Sequence, residues 1–380
     1  MVDNSALLTV GENCPLLAEL DCSHSTVSDP GLDHLSSPHR CPRLLALLLT
    51  GCRVSGAGVA QLLLAHPGLV TLQVDSHSPA LACLVDVEHG PTLELRTLTL
   101  TGPVPAPALC PRLESLSLHS ARPDQLDGLQ CYTHLTRLSV ELAGPAPQPA
   151  LLEVGPQLTQ LSLAGISQLD LLQLAAACPH LTHLTLAGWH SLVCVWDQAL
   201  APLLPGLLQL HLLNTQAALL PAPALRLLLT GAANLTTATF EQVESLTDPL
   251  VVEVAAAGLP RLQSLKLERC HSLSGEALSA LLTLPRLTQL ACWSCRFISL
   301  ADTETVKADI RCNQYDLHLS WYPWCPEDDE VHQPILEEEY EGDEDDEEEE
   351  EDWEWQEPEF FNYWNNYPLR GAELVNSSDM

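Results

Sequence analysis

The chain has 380 residues, 46% of them apolar, so it can bury a large core as one elongated body or as two or three compact ones. Its formal charge is −34, and 21 of its acidic residues fall between Glu327 and Glu359, where there is no Lys or Arg. Such a charge repels phosphate backbones and anionic lipid, which argues against direct nucleic-acid binding and against a membrane surface as partner.

The opening MVDNSALLTVGENCP lacks the basic start and apolar run of a secretory leader. The apolar stretch 203–233 is broken by Gln209, His211, Asn214, Arg226 and several prolines, so it does not read as a membrane span. Fourteen cysteines without a leader point to a reducing compartment, cytoplasmic or nuclear, and to free thiols.

In chain order, one phrase recurs. CPRLLALLLTG at 41–51 returns as CPRLESLSLHS at 110–120 and CPHLTHLTLAG at 178–188, then as LPRLQSLKLER at 259–269 and LPRLTQLACWS at 284–294. The first leucine of each Leu-x-x-Leu-x-Leu unit, here called position 1, falls at Leu17, Leu44, Leu69, Leu95, Leu113, Leu135, Leu158, Leu181, Leu207, Leu235, Leu262 and Leu287. Successive intervals are 27, 25, 26, 18, 22, 23, 23, 26, 28, 27 and 25 residues. In Leu181-Thr182-His183-Leu184-Thr185-Leu186, leucines alternate with polar residues, which predicts a short strand with one apolar face.

After the strand the period changes. GAGVAQLLLAHP after residue 55, LDLLQLAAACP at 169–179 and GEALSALLTLP at 275–285 predict short helices, with Ser167 and Ser274 as caps. The Pro-, Gly- and Ala-rich segments 75–91, 101–110 and 141–155 are expected to loop around without a full helix. Tyr315–Tyr322 reads as one more strand. Strand-plus-helix units cannot bury their apolar sides alone, so they must stack.

From residue 14 to about 300 this pattern resembles the leucine-rich repeat family, and its helix-containing units are similar to the cysteine-containing subclass found in F-box ubiquitin-ligase subunits. The resemblance implies an α/β leucine-rich repeat solenoid, a curved parallel sheet with outer helices in about 12 repeats, as one domain over 1–325 with a C-terminal cap. It also implies protein recognition, as a substrate-binding or adaptor component of a ubiquitin-ligase-type complex whose subunits would be partners. The helical F-box module that precedes the repeats in that family has no room before Leu17, so the chain is either a bare repeat protein or part of a longer form.

The cysteines follow the repeat. Cys22 and Cys292 occupy position 6, where other units have Leu49, Leu118 and Leu186. Cys52, Cys270 and Cys295 occupy position 9, and Cys14, Cys41, Cys110 and Cys178 stand three residues before an anchor. These are therefore read as structural thiols, not a zinc or redox site at Cys292-Trp-Ser-Cys295. His183 and His211 are expected to point from the strands into solvent. There is no HExxH, phosphate-binding glycine loop or GxSxG elbow, so neither catalysis nor any cofactor or metal is expected.

Positions 3, 5 and 7 should line the open face of the sheet. In the middle units they are mostly Ser and Thr, while the C-terminal units bring Lys266, Arg269, His271, Trp293, Arg296 and Phe297 together. These six are the candidate partner-binding residues of the repeat body; the aromatics Trp321, Tyr322 and Trp324 read equally as a cap over the last unit. From 326 to 380 the repeat is lost, and like-charge repulsion predicts disorder. Trp353, Trp355, Phe360 and Phe361 among the acids either fold back on the repeats or form a linear motif for a partner. An acidic tail also resembles that of acidic nuclear leucine-rich repeat proteins, which implies histones or other basic proteins as alternative partners. Only Lys266 and Lys307 are lysines, which suits a protein held beside ubiquitin-transfer machinery.

Overall fold

The computed structural model describes residues 2–37, 39–74, 92–101, 104–122, 126, 128–142, 153–165, 170–188, 204–213, 221–257, 259–313 and 315–324. The chain divides into two units, Met1–Val331 and His332–Met380, and every described residue belongs to the first. The expected disordered tail, with Trp353, Trp355, Phe360 and Phe361, lies outside the described residues.

Most units begin with a tight turn that explains the recurring Cys-Pro or Leu-Pro. Proline presets the backbone for the second residue of a turn, and the anchor N–H then donates to the carbonyl three residues back. Examples are Leu44 to Cys41 at 3.0 Å, Leu181 to Cys178 at 3.3 Å and Leu262 to Leu259 at 3.2 Å. The carbonyl at position 2 then accepts two N–H groups from the next unit, as when Thr136 accepts from Thr159 at 2.8 Å and Gln160 at 3.1 Å. Where position 2 is threonine, its hydroxyl donates to the same carbonyl one unit back. Thr159 donates to Thr136 at 3.1 Å, Thr182 to Thr159 at 2.9 Å and Thr236 to Leu208 at 2.9 Å.

Positions 3 onward form the strand. Thirteen parallel strands, β1 to β13, lie side by side in chain order. They run from β1 (Glu19–Asp21) through β2 (Ala46–Leu48) and β3 (Thr71–Gln73) to five-residue strands such as β8 (His183–Ala187), β9 (Gln209–Leu213), β10 (Thr237–Glu241), β11 (Ser264–Glu268) and β12 (Gln289–Trp293). Register is position for position, as Thr237 pairs with Ser264, which pairs with Gln289, except that Ala121 at position 9 pairs with Leu142 at position 8. The strand expected near 315–322 is β13 (His318–Tyr322), with Trp293 opposite Tyr322.

The strands end at position 8, which is left-handed in eight units: His24, Gly51, Ser120, Gly165, Gly188, Gln242, Arg269 and Ser294 have φ between 49° and 73°. This conformation turns the chain out of the sheet while its N–H still reaches the next unit, as with Arg269 to Trp293 O at 2.9 Å. Five of these eight are not glycine, although such residues pay roughly 1–2 kcal/mol there. The outward turn is therefore imposed by the sheet and not by local preference.

Behind the strands come α1 (Asn4–Asn13), α2 (Asp29–Leu35), α3 (Gly56–Ala65), α4 (Leu171–Ala177), α5 (Ala222–Gly231), α6 (Asp248–Ala257), α7 (Gly275–Leu281) and α8 (Leu300–Asn313). In the middle units, 3-10 turns lie at Leu129–Cys131 and, directly after the helical residues Glu153 and Val154, at Gly155–Gln157. Ser274 caps α7, its hydroxyl accepting from Glu276 N at 3.2 Å. The cap of α4 is Asp170, accepting from Leu172 N at 2.9 Å; Ser167 lies outside the described residues. Neighbouring helix starts are tied together, because Ser55 N donates to Asp29 at 2.7 Å and Ser274 N to Asp248 at 2.8 Å.

Helix α1 was not legible in the leucine period. It packs on α2 and covers the first unit, with Leu7 fully buried and Asn4 accepting from Ser28 N at 3.0 Å. Eleven anchors are buried, from Leu44 to Leu287; Leu17 is half-buried, since β1 has a neighbouring strand on one side only. The buried leucines form one continuous core along the described chain.

Gly165 tests the strand exit. A methyl group there would sit 2.7 Å from Leu142 O on a backbone with φ of 73°. Gly165→Ala is expected to cost about 2 kcal/mol or more, whereas Gln242→Gly, relieving a left-handed side chain, should change stability by less than about 1 kcal/mol in the favourable direction. Urea unfolding midpoints of the two variants check this.

Candidate functional site

The register places side chains of equal position in rows across the open face. At the C-terminal end, the row of position 5 runs His211, Thr239, Lys266, Ala291 and Ser320, and that of position 7 runs Glu241, Glu268, Trp293 and Tyr322. Rows one step apart bring Lys266 against Trp293. Its Nζ lies 4.0 Å from the ring centroid and 2.7 Å from Glu268 Oε2. A cation over a tryptophan face gains roughly 0.5–2 kcal/mol, more as water is excluded. The Lys266 side chain is 20% exposed, so this lysine is held in place by the sheet.

The other expected residues gather into a second group. Arg296 stacks over Trp324 at 5.0 Å and Phe297 at 5.7 Å, and its N–H donates to His271 Nδ1 at 3.3 Å. Phe297 pairs by backbone with Ser274 yet leaves 60% of its surface exposed, and Tyr322 leaves 61%. Trp321, on the inward side, packs against the core. Arg269 sits in the left-handed strand exit, 3.6 Å from Glu241 Oε1.

The cluster is therefore less basic than the residue types suggested. Lys266 and Arg269 each meet a carboxylate: Glu268 lies two residues along the same strand, and Glu241 comes from the preceding unit. Arg296 makes no ion pair among the described residues, and its company is aromatic. What the surface offers is aromatic area with fixed, mostly compensated charge.

Two histidine arrangements also emerged only in the fold. His119 Nδ1 lies 3.0 Å from Glu141 Oε2 across β5 (Ser115–Ala121) and β6 (Arg137–Leu142), and that hydrogen bond holds the Glu141 carboxyl below its usual range. His183 and His211 are half-buried on the sheet, not extended into solvent as expected, because adjoining rows crowd them. Burial lowers both; for His211 the neighbouring His183 and Lys266 add to the effect.

The cysteines at position 9 share one contact. Cys52 donates to Cys22 O at 3.0 Å, Cys270 to Phe240 O at 3.4 Å and Cys295 to Leu267 O at 3.8 Å, in each case the position-6 carbonyl of the preceding unit. Burial pushes Cys22, Cys178 and Cys295 up to about 11 and Cys110 to about 12, and it raises Cys270 and Cys292 as well. Such thiols are protonated packing groups. Among the described residues, no three His, Cys, Asp or Glu side chains come together as a metal site. No described helix is long and apolar enough to cross a membrane.

No protein-family model matches the chain, and no curated protein matches it. Among solved structures it is similar to an internalin from Listeria monocytogenes str. 4b F2365, at 16% identity over 83% of this chain and 88% of that one, with a TM-score of 0.45. It is also similar to the Rad7 and Elc1 complex in yeast, at 15% identity over 81% of this chain and 76% of that one, with a TM-score of 0.41. A third is the leucine-rich repeat domain of APL1, at 14% identity over 80% and 73%, with a TM-score of 0.32. The repeat architecture itself rests on the thirteen-stranded register and its buried leucines.

Two outcomes follow for the native protein. Among the described cysteines, iodoacetamide at pH 7.5 should modify the exposed Cys131 and Cys312 first and leave Cys270, Cys292 and Cys295 intact until unfolding, as read by peptide mass spectrometry. The histidines set a pH dependence. Because His211 titrates below its ordinary 6.5 when folded, the unfolded chain binds protons more readily; stability is complete above that pH and declines on acidification through the lower folded value. Urea midpoints between pH 5 and 7.5 should show that slope, and His211→Gln should flatten it.

Proposed function

We propose that this chain is a non-enzymatic protein-recognition module that binds its partner on the open face at the C-terminal end of the sheet. The observation that carries the reading is the fixed Lys266–Trp293 pair beside a second aromatic group, with Phe297 60% and Tyr322 61% exposed. Aromatic side chains held rigid at a surface lose little entropy when covered, which is why they dominate association energies. The rest of the face, mainly Ser and Thr, adds complementarity more than energy.

Within that reading, the role is a substrate-binding or adaptor component of a ubiquitin-ligase-type complex, in the cytoplasm or nucleus. The ladder of position-9 thiols, the helix-containing units and the near absence of lysine support it. A second reading is favoured by the 21 acidic residues of 327–359: an acidic nuclear protein that binds histones or other basic proteins through its tail.

Quantitative affinity purification of the full chain, Trp293→Ala with Phe297→Ala, and a deletion of 327–380 separates these. An adaptor retains its partners after the deletion and loses at least about tenfold with the double variant, the scale of a hot-spot truncation; ligase subunits should be among the proteins recovered. Loss with the deletion instead, with steep salt dependence, favours the basic-protein reading. Retention by all three forms would overturn both.

A further inference from the structure

The aromatic end of the sheet carries one exposed cation that meets rings and no carboxylate. Strands β12 and β13 place Trp293 opposite Tyr322, and Ser294 N still donates to Tyr322 O at 3.0 Å as the two segments leave the sheet. Two residues further on they meet again through side chains. The Arg296 guanidinium lies 5.0 Å from the Trp324 ring centroid and 5.7 Å from that of Phe297. Its backbone N–H, bonded to His271 Nδ1 at 3.3 Å, anchors the base of the side chain. Arg296 and Phe297 are exposed and Trp324 is half-buried, so the group is open to a partner.

Those surroundings specify a ligand. Ring faces attract the charge of a guanidinium, while the N–H donors that lie in its plane stay available. They form a fork that a carboxylate accepts in two parallel bonds, and aromatic neighbours that exclude water strengthen those bonds. Acids of the adjoining elements are engaged elsewhere, Glu268 with Lys266 at 2.7 Å and Asp302 with Ser299 N at 2.9 Å and Ser299 Oγ at 2.6 Å. The same end also presents apolar area. Phe297, Tyr322 and Leu300, the first residue of α8, are each more than half exposed. A held cation beside large apolar side chains is matched by a carboxylate beside another apolar side chain.

We propose that Arg296, with Phe297, Trp324 and Tyr322, binds a single Asp or Glu carboxylate of a protein partner, carried next to a large apolar side chain. Arg296 takes the carboxylate through its planar fork, and the apolar side chain covers Phe297 and Tyr322. A strongly acidic partner does not fit, because the formal charge of −34 repels it. One carboxylate in an otherwise neutral segment feels mainly the nearest charge, since physiological salt screens exposed charges beyond about 8 Å. A phosphate, with close to two charges, meets more of that repulsion. The proposal rests on the recognition surface proposed above, and it names the chemistry that surface selects.

The test uses the full chain labelled with nitrogen-15 at arginine, the Arg296 side-chain signal being identified by its absence in Arg296→Gln. Capped glycine–serine hexapeptides with a central Glu-Leu pair are titrated at constant ionic strength, beside Gln-Leu, Lys-Leu and Glu-Ser forms. The Glu-Leu peptide should shift the Arg296 Nε–H signal to saturation and leave the exposed Arg261 in place. Its half-saturation should lie at least about tenfold below that of the two forms without the carboxylate, and about threefold or more below Glu-Ser. Arg296 moving no more than Arg261, or equally with Gln-Leu, overturns the carboxylate site, and an equal response to Glu-Ser overturns the apolar half of the motif. Deleting 327–380 decides between occupants. Binding tightened about tenfold or more assigns Arg296 to the chain's own acids and overturns the partner assignment, while unchanged binding supports it. Arg296→Gln is also run in the affinity purification. Partner loss with the aromatic double variant but not with Arg296→Gln overturns the carboxylate site alone, while loss with neither overturns the recognition reading itself.

Discussion

Everything in the described body depends on parallel pairing between residues of the same repeat position. A position-2 carbonyl that accepts two N–H groups from the following unit fixes the start of the strand, and in eight units a left-handed residue at position 8 fixes its end. Between those points the alternation of the strand leaves only one choice of face for each side chain. A slip of one residue would turn every buried leucine outward, and the core that spans all units opposes it. The backbone carries the register, and the leucines make it costly to change.

That constraint converts a one-dimensional repeat into rows. Position-9 thiols fall against position-6 carbonyls, position-2 threonines against position-2 carbonyls, and helix-capping serines against the acids of the preceding helix. Each is a weak or moderate bond, and each recurs because stacking presents the same pair of groups again. Cysteine serves here as a small apolar side chain with one donor, and burial keeps it protonated. Its abundance is accounted for by packing.

The same geometry decides how the open face is divided. Where long side chains follow one another in adjoining rows, as at Lys266, Glu268 and Trp293, they pair with one another and become rigid. Where short hydroxyl residues follow one another, as at Ser117, Ser139 and Ser162, the face stays low and polar. An aromatic, charge-compensated end and a hydroxyl-rich middle are two different surfaces on one sheet. A partner that used both would be read over several units, with association energy from the first and selectivity from the second.

The sequence alone determined the number and spacing of the leucine anchors, the strand at each, the helices with strong amphipathic periods and the fold positions of the cysteines. It did so because these depend on local period and on a repeat that compares the chain with itself. It placed Trp293 with Lys266 on one surface for the same reason. Helix α1, the carboxylates that pair with Lys266 and Arg269, the His119–Glu141 pair and the burial of His211 were decided only by the tertiary structure. Apart from Glu268, which shares a strand with Lys266, each of these is a relation between different stretches of the chain. Which side chains meet between such stretches depends on the exact register and on the height of the neighbours, and neither is expressed until the strands lie side by side.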